Sequence, residues 1–418
     1  MELCVFEDST YSNFFPLTYL RPVFHLRCGL FTLGQRIEQT FSGYSVRYLC
    51  RPYLNPTLRE QKFNLLSPFE VTPETPVLFV NGLLLDTYAV RDELPHIASE
   101  NWMLVSGGRL VAARLKGELA QEAAYYLLEQ NSRALMERLA GQVEIEEYSA
   151  LLATYLWDFV HHNGAVLKKD FAQLKQNGSQ GEVDPRTVLY NESDVYIGKG
   201  ARLDAYVVLD ARDGPIYIAE GVKIQSFTHI QGPAYIGAKT YLVGGQIREG
   251  TTIGPVCRIG GEVEEAIIQG YSNKYHAGFL GHSYLGEWVN IGAIGTNSDL
   301  KNTYGTIRIE VNDMMVDTGM QKMGIIIGDH AKIGIGTMVM AGTVIGVGSN
   351  VMGGGVPKVV PSFIWGSEDG FAEYRIEKCI EVARATMGRR SLSLSEAQAN
   401  LMSHVFYLTA RQRQPMLK

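Results

Sequence analysis

The sequence predicts an α/β domain, then a parallel β-helix of hexapeptide repeats, then a short helical tail. Aliphatic residues recur every six positions at Ile218, Ile224, Ile230, Ile236 and Leu242, and again at Ile327, Ile333, Val339, Ile345 and Val351. Glycine often follows directly, as in Ile236-Gly237, Ile253-Gly254, Ile333-Gly334 and Ile345-Gly346. Residues 1–185 lack this phase and mix short apolar runs with helical spacing.

A period of six is neither the 3.6 of a helix nor the 2.0 of an amphipathic strand. A repeat of strand, turn and strand accounts for it, each aliphatic residue pointing into a shared stack. Glycine suits the corners, where the backbone bends sharply without a Cβ in the way. Successive coils then lie about 4.8 Å apart, hydrogen-bonded as parallel strands. A sandwich of many short strands would instead show turns every 8–12 residues or so, with no fixed phase.

The bulk numbers bound the rest. A chain of 418 residues with 46% hydrophobic and 20% charged residues holds two or three globular domains. A formal charge of −6 gives no basic field for nucleic acid. No stretch is apolar enough to span a membrane, and the opening residues lack a signal peptide's basic end and apolar run. Cys4, Cys28, Cys50, Cys257 and Cys379 are scattered and never form a CxxC, which argues against a disulfide framework or a cysteine zinc site. The expectation is a cytoplasmic protein that handles small molecules.

In chain order, residues 1–180 form the α/β domain. Strands are expected at 1–6 and 76–81, the second ending in a turn at Gly82, and helices at 119–139 and 148–160. The polar run 173–181 reads as a linker. Residues 186–365 form the β-helix, whose rhythm breaks between Glu262 and Gly324, with 303–324 leaving the stack as a loop or hairpin. Residues 366–418 form the tail, with helices at 368–387 and 395–411, the second capped by a serine. Such a tail suits the closing of the open end of the stack, which otherwise exposes unpaired strand edges.

Chemistry is expected where the rhythm breaks, because a solenoid core has no packing need for so many polar groups. Ser272, Asn273, Lys274, His276 and His282 stand there, then Asn290, then the 297–302 loop. A histidine near its ordinary pKa of about 6.5 takes a proton from an attacking amine at neutral pH, so His276 is the candidate base; an ordinary surface histidine is the other reading. His282 and His229 read as satisfied structural histidines. Six residues separate His276 from His282, which leaves a shared metal geometrically open, but nothing completes a ligand set and no metal is assigned. Near the N-terminus, Arg21 and Arg27 suit bidentate clamping of phosphate oxygens, or stacking on aromatic neighbours at the surface. No P-loop and no GxGxxG is present.

Three motifs carry a family resemblance. Pro16-Leu17-Thr18 with Arg21-Pro22 resembles a segment of sugar nucleotidyltransferases. Trp157-Asp158-Phe159-Val160, Asn163-Gly164 and Lys169-Asp170-Phe171 resemble the end of the N-terminal domain in a divergent branch of them. His282-Ser283-Tyr284-Leu285-Gly286-Glu287-Trp288-Val289-Asn290-Ile291-Gly292-Ala293, continued by 297–302, resembles that branch's β-helix site. The chain is similar to the bifunctional N-acetylglucosamine-1-phosphate uridyltransferase/glucosamine-1-phosphate acetyltransferase family.

The resemblance implies a Rossmann-like nucleotidyltransferase domain ahead of a left-handed β-helix, in a homotrimer that binds acetyl-CoA as a substrate. It implies His276 as base and places Ser272, Asn273, Lys274, Phe279, His282, Asn290, Asn297, Asp299, Lys301 and Asn302 about the sugar phosphate. It implies Ala293, Ala341 and Lys358 as coenzyme A contacts. Thr18, Arg21, Arg27, Asn81 and Gly82 would meet the nucleotide. There are departures. Residues 7–13 replace the glycine-rich nucleotide loop, Val23 stands for a lysine, and Leu83 stands where Mg²⁺ would find its aspartate. Phe279 replaces a tyrosine, and Glu262, Glu264 and Glu265 replace basic contacts. The expected function is acetyl-CoA-dependent N-acetylation of an amino-sugar 1-phosphate. The alternatives are nucleotidyl transfer from UTP or dTTP in the N-terminal domain, and a non-catalytic nucleotide-sugar binding protein.

Overall fold

In the computed structural model the chain is described over residues 2–72, 74–97 and 99–417, with the backbone alone at Pro95. It divides into two units: Met1–Phe14, Leu20–Leu26 and Phe31–Tyr155 form the first, and Phe15–Tyr19, Arg27–Leu30 and Leu156–Lys418 the second. These compact units divide after Tyr155, inside the stretch 1–180 that the sequence assigns to the α/β domain. The reason is helix Leu156–Leu174, which buries Phe159, Asn163 and Asp170 within the second unit. There Asn163 Oδ1 accepts from the Gly29 N–H at 2.7 Å and its Nδ2 donates to the Gly250 carbonyl at 2.7 Å, while Asp170 accepts from the Leu30 N–H at 3.0 Å.

The first unit is a six-stranded sheet in the order Ser45–Leu49, Glu2–Phe6, Val77–Asn81, Arg109–Leu115, Trp102–Ser106, Glu144–Glu147. Its first three strands are parallel, and Arg109–Leu115 runs antiparallel to its neighbours. The strands expected at 1–6 and 76–81 are Glu2–Phe6 and Val77–Asn81, with Met1 outside the described residues. All five residues of Val77–Asn81 are buried, as a central strand covered on both faces requires. The helix expected over 119–139 is two, Glu118–Leu128 and Ser132–Leu139. Gln130 turns the chain at φ 52°, and the Asn131 side chain caps the second helix by accepting from the Ala134 N–H. The helix expected from 148 starts only at Leu156. The preceding residues run extended instead, because the Leu85 and Ala153 N–H groups reach the Leu151 and Leu83 carbonyls.

The second unit is built on a left-handed parallel β-helix. One interior column runs Ile197, Ile218, Ile236, Ile253, Ile268, Leu285, Ile327, Ile345, Val360 through successive coil registers. Every member is at most 1% exposed, and burying each such side chain stabilises the fold by about 1.5–3 kcal/mol. Two polar residues interrupt the other interior columns: Lys274 sits between Ile259 and Ile291 in coil order, and Asn297 precedes Val339. The excursion at 303–324 carries an antiparallel hairpin, Arg308–Val311 with Met314–Asp317. The linker run 173–181 already contributes a rung, since Gly178–Ser179 pairs with Val195–Ile197.

The tail differs most from expectation. Residues 368–375 are not helical: Gly370–Glu373 pairs antiparallel with Ile364–Ser367 and so ends the parallel ladder. Helix Ile376–Gly388 follows, then Glu396–Leu408 with a capping box from Ser395 and Gln398. The first helix buries Ile376, Cys379, Ala383 and Met387, one stripe at spacings of three and four. This stripe lies along the side of the coils, with the Cys379 thiol against Gly348 and Arg390 at Asn273.

Candidate functional site

Outward-facing residues of one β-helix face form a column in the order Tyr241, Arg258, Asn273, Asn290, Lys332, Asn350. Along one edge of the face runs a ladder of rings at coil corners. Tyr271 and Trp288 stack at 4.6 Å, and Trp288 and His330 at 6.3 Å. All three residues have φ between 53° and 61°, the left-handed corner conformation that aligns the rings from coil to coil. His276 and Ala293 lie toward the other edge. The end of helix Ile376–Gly388, with Arg389 and Arg390 after it, closes over the face and leaves a cavity of about 710 Å³.

Of the residues the sequence nominates, this cavity gathers Asn273, His276, Asn290 and Ala293. His276 is exposed, its ring edge-on to Tyr275 at 5.1 Å. Asn273 Nδ2 donates to Asn290 Oδ1 at 3.4 Å, and Asn273 Oδ1 accepts from Arg390 Nη2 at 2.8 Å. Sequence reasoning missed Arg258, Arg389, Arg390, Trp288 and Lys332, which line the same space. The signal for two of them was the basic pair after Gly388, which a capping role for the tail left unused.

The cavity is electropositive. Burial lowers the Arg390 pKa, and the neighbouring Arg258 and Arg389 charges lower it further. Arg390 Nε is buried without a hydrogen-bond partner among the described residues. Lys332 donates to the Trp288 and His330 carbonyls at 2.7 and 3.1 Å, and burial depresses its pKa to about 8. No carboxylate lines the cavity among the described residues.

Lys274 points the other way, into the coil interior. It is 2% exposed and its Nζ donates to the Gly260 carbonyl at 2.8 Å and the His276 carbonyl at 3.1 Å, with burial holding its pKa at about 8. Ser272 is buried too, its hydroxyl donating to the Gly270 or Gly286 carbonyl and accepting from the Val289 N–H. Both fix the backbone that presents Asn273 and His276.

His282 and Asp299 belong to a different cluster. His282 is 3% exposed, with Nδ1 2.8 Å from Asp299 and Nε2 3.4 Å from Glu265. Burial works against its charge, but the hydrogen bonds and charges of Asp299 and Glu265 outweigh burial and raise its pKa to about 9. Glu264 beside it meets Arg248 at 3.0 Å and Lys322 at 3.4 Å. Glu264, Glu265 and His282 hold ligand atoms within 4.8 Å of one another, yet a protonated imidazole and two basic partners make the group an ion-pair cluster. Asn297 accepts from the Gly281 N–H and donates to the Gly281 carbonyl, both at 3.1 Å, and Phe279 packs against Gly281. Lys301 reaches the Thr306 carbonyl in the excursion, Asn302 stands exposed in a turn, and Lys358 donates to the Ala341 carbonyl.

The nucleotide candidates are split between the units. In the second, Thr18 is fully buried and Arg27 donates to the Leu30 carbonyl and covers the Tyr235 ring. In the first, Arg21, Asn81 and Gly82 surround the carboxyl end of strand Glu2–Phe6, the place where open α/β sheets bind ligands. That place is filled. Glu7 accepts from Arg51 Nε at 2.8 Å and Nη2 at 3.1 Å, and from the Val23 N–H at 2.9 Å. Asp8 accepts from Arg109 at 2.8 Å and Asn81 at 2.9 Å. Burial alone would raise the Asp8 pKa, but Arg109, Thr10 and Asn81 outweigh it and hold the carboxyl below its usual range. Gly82 has Phe6 O and Phe24 within 3.1 Å of where a Cβ would stand. These residues do not fit Mg²⁺: Leu83 is fully buried and offers no side-chain oxygen, Asp8 is paired with a guanidinium, and Asp86 caps helix Thr87–Glu93.

Residues 3–179 match the model of the sugar nucleotidyl transferase family. The bifunctional protein GlmU of Acidithiobacillus ferrooxidans is 37% identical over 164 residues, 38% of this chain and 34% of that protein. A bifunctional sugar-1-phosphate nucleotidylyltransferase/acetyltransferase of Sulfurisphaera tokodaii is 30% identical over 169 residues, 38% of this chain and 39% of that one. The chain thus spans about a third of the length of the curated relatives it matches. Among solved structures, UDP-N-acetylglucosamine acyltransferase of Francisella novicida aligns at 11% identity with a TM-score of 0.24, over 56% of this chain and 92% of that one. A segment that matches the sugar nucleotidyl transferase family over residues 3–179 thus precedes a hexapeptide β-helix, and over part of its length the chain is similar to bifunctional GlmU proteins.

Proposed function

We propose that the chain is a transferase of nucleotide-sugar biosynthesis, and that its β-helix moves an acetyl group from acetyl-CoA to the amine of an amino-sugar phosphate. The observation that carries this reading is the single cavity of about 710 Å³ holding His276, Asn273, Asn290 and Ala293 under three arginines. In the reaction the amine nitrogen attacks the thioester carbonyl, His276 takes the amine proton, the carbon–sulfur bond breaks and coenzyme A leaves as its thiol. Asn273 and Asn290 offer amide donors and acceptors to sugar hydroxyls, and the guanidiniums hold the phosphate. Ala341 and Lys358 are further donor-site candidates.

The reading includes assembly. Ile294, Ile335, Met338 and Met340 lie on the coils beside His276 and are 68%, 79%, 57% and 63% exposed. A homotrimer would cover these side chains and shield the exposed His276 from bulk water. No helix among the described residues is long and apolar enough to cross a membrane; the reading places the enzyme in the cytoplasm.

The test follows free thiol with acetyl-CoA and a panel of amino-sugar 1-phosphates, alongside UTP-dependent pyrophosphate release. His276→Ala should lower thiol release by about 10²–10⁴. A fall under about threefold removes His276 as base. The match over residues 3–179 favours a second reading, nucleotidyl transfer in the first unit. Pyrophosphate without thiol would establish it, and silence in both assays would point to a binding protein.

A further inference from the structure

The arginines around the cavity come from two distant parts of the sequence. Arg258 belongs to the outward column of the coils, while Arg389 and Arg390 follow the tail helix. Like charges brought together without a carboxylate repel one another, and nothing in the described cavity neutralises them. Arg390 uses Nη2 on Asn273, but its buried Nε has no hydrogen-bond partner. Leaving a buried charged donor unmade is costly, so the arrangement is complementary to an absent anion with more than one charge.

Size and shape narrow the anion. A volume of about 710 Å³ lies in the upper part of the ~300–1,000 Å³ range of small-ligand sites, more than a hexose monophosphate needs. Tyr271 and Trp288 line the same space as the arginines, offering apolar surface in it. We propose that Arg258, Arg389 and Arg390 bind the phosphate chain of a nucleoside diphosphate group, with the nucleoside against Tyr271 and Trp288. This deepens the acyl-transfer reading of the same cavity. Two reactants carry such a group: a nucleotide-linked amino sugar as acceptor, or coenzyme A itself as donor.

The experiment measures binding without turnover, so it fails or succeeds independently of His276 and thiol release. Full-length protein is titrated with UDP, coenzyme A, pyrophosphate and glucosamine 1-phosphate at two salt concentrations. UDP or coenzyme A should bind, more weakly at the higher salt. The Arg389→Ala/Arg390→Ala double variant should weaken that ligand about 10- to 100-fold, the range for loss of charged hydrogen bonds. Arg390→Lys should recover part of the loss, and Lys378→Ala, an exposed lysine on the same helix paired with Glu381, should change nothing. Melting curves confirm that each variant is folded. Loss confined to UDP assigns the site to the acceptor, and loss confined to coenzyme A assigns it to the donor; either supports the proposal. Unchanged affinity in the double variant overturns it, as does pyrophosphate binding as tightly as both nucleotides.

Discussion

The two units handle charge in opposite ways. At the carboxyl end of the first unit's parallel strands, Glu7 meets Arg51 and Asp8 meets Arg109 and Asn81, so each acid is neutralised inside the fold. On the β-helix face, Arg258, Arg389 and Arg390 converge with no acid among the described lining residues. A closed ion pair in a buried crevice orders the fold; cations left unpaired in a cavity are matched only by something that arrives. The proposed ligand site therefore lies in the unit with incomplete electrostatics, whereas the family match covers residues 3–179.

The largest expected effect tests the first half of that comparison. Glu7→Gln leaves the buried Arg51 guanidinium without its counter-charge. Glu7 is fully buried and Arg51 is 3% exposed, so solvent does not screen the loss. Breaking such a pair costs about 3–5 kcal/mol. Denaturant titration should show the first unit's transition shifted by that amount, with thiol release per folded molecule unchanged. If stability moves by less than about 1 kcal/mol while pyrophosphate release disappears, the crevice is a working site and the comparison fails.

The periodicity made the β-helix legible because a register error of one residue would turn aliphatic side chains outward, so the pattern is strict. Ile218 through Leu242 and Ile327 through Val351 occupy the interior as their spacing requires. The excursion at 303–324 was legible for the same reason, as the one long stretch without the phase. The tail was not. Its helix packs through a stripe of small and medium residues, Ile376, Cys379, Ala383 and Met387, and that stripe does not say which surface it covers. Hence Asn273, His276 and Asn290 could be nominated from the sequence, whereas Arg389 and Arg390 depended on a tertiary contact more than a hundred residues away, 117 between Arg390 and Asn273. Lys274 was also misleading from sequence alone. A lysine beside candidate ligands reads as a contact, yet its place in the coil phase, between Ile259 and Ile291, puts the stem inside.

A middle-sized effect tests whether paired charge in the second unit behaves like that in the first. His282 has a folded pKa of about 9, raised above its ordinary 6.5 by Asp299 and Glu265 against the opposing effect of burial. A raised pKa means stability that is fully present below about pH 6.5 and lost as pH climbs through about 9. At roughly 1.4 kcal/mol per pKa unit, the rise from 6.5 to about 9 corresponds to about 3–4 kcal/mol. The Asp299 and Glu265 pKa values are lowered, so their share is lost in acid instead. The melting temperature should therefore fall between about pH 6.5 and 8 in the native chain, below the range where Lys274 and Lys332 titrate, and His282→Ala should flatten that slope. A slope unchanged in the variant would show that the cluster is not a closed ion-pair group.

The smallest effect on stability probes the boundary between interior and cavity. Lys274→Met replaces a desolvated ammonium by an apolar chain of similar length in a column whose neighbours are Ile259 and Ile291. The substitution loses hydrogen bonds to the Gly260 and His276 carbonyls but removes the cost of burying the charge, so the net change should stay within about 1.5 kcal/mol. Because burial holds the folded pKa at about 8, below the unfolded 10.5, the Lys274 contribution rises from pH 8 to 10.5, opposite in sign to that of His282, and the variant should lose that component alone. Thiol release should drop by about tenfold, because the His276 carbonyl is no longer held and small misplacements of a reacting group cost rate steeply. Nucleotide affinity at Arg389 and Arg390 should not change. Lost transfer with intact binding would separate the geometry of His276 from the anion site that the tail completes.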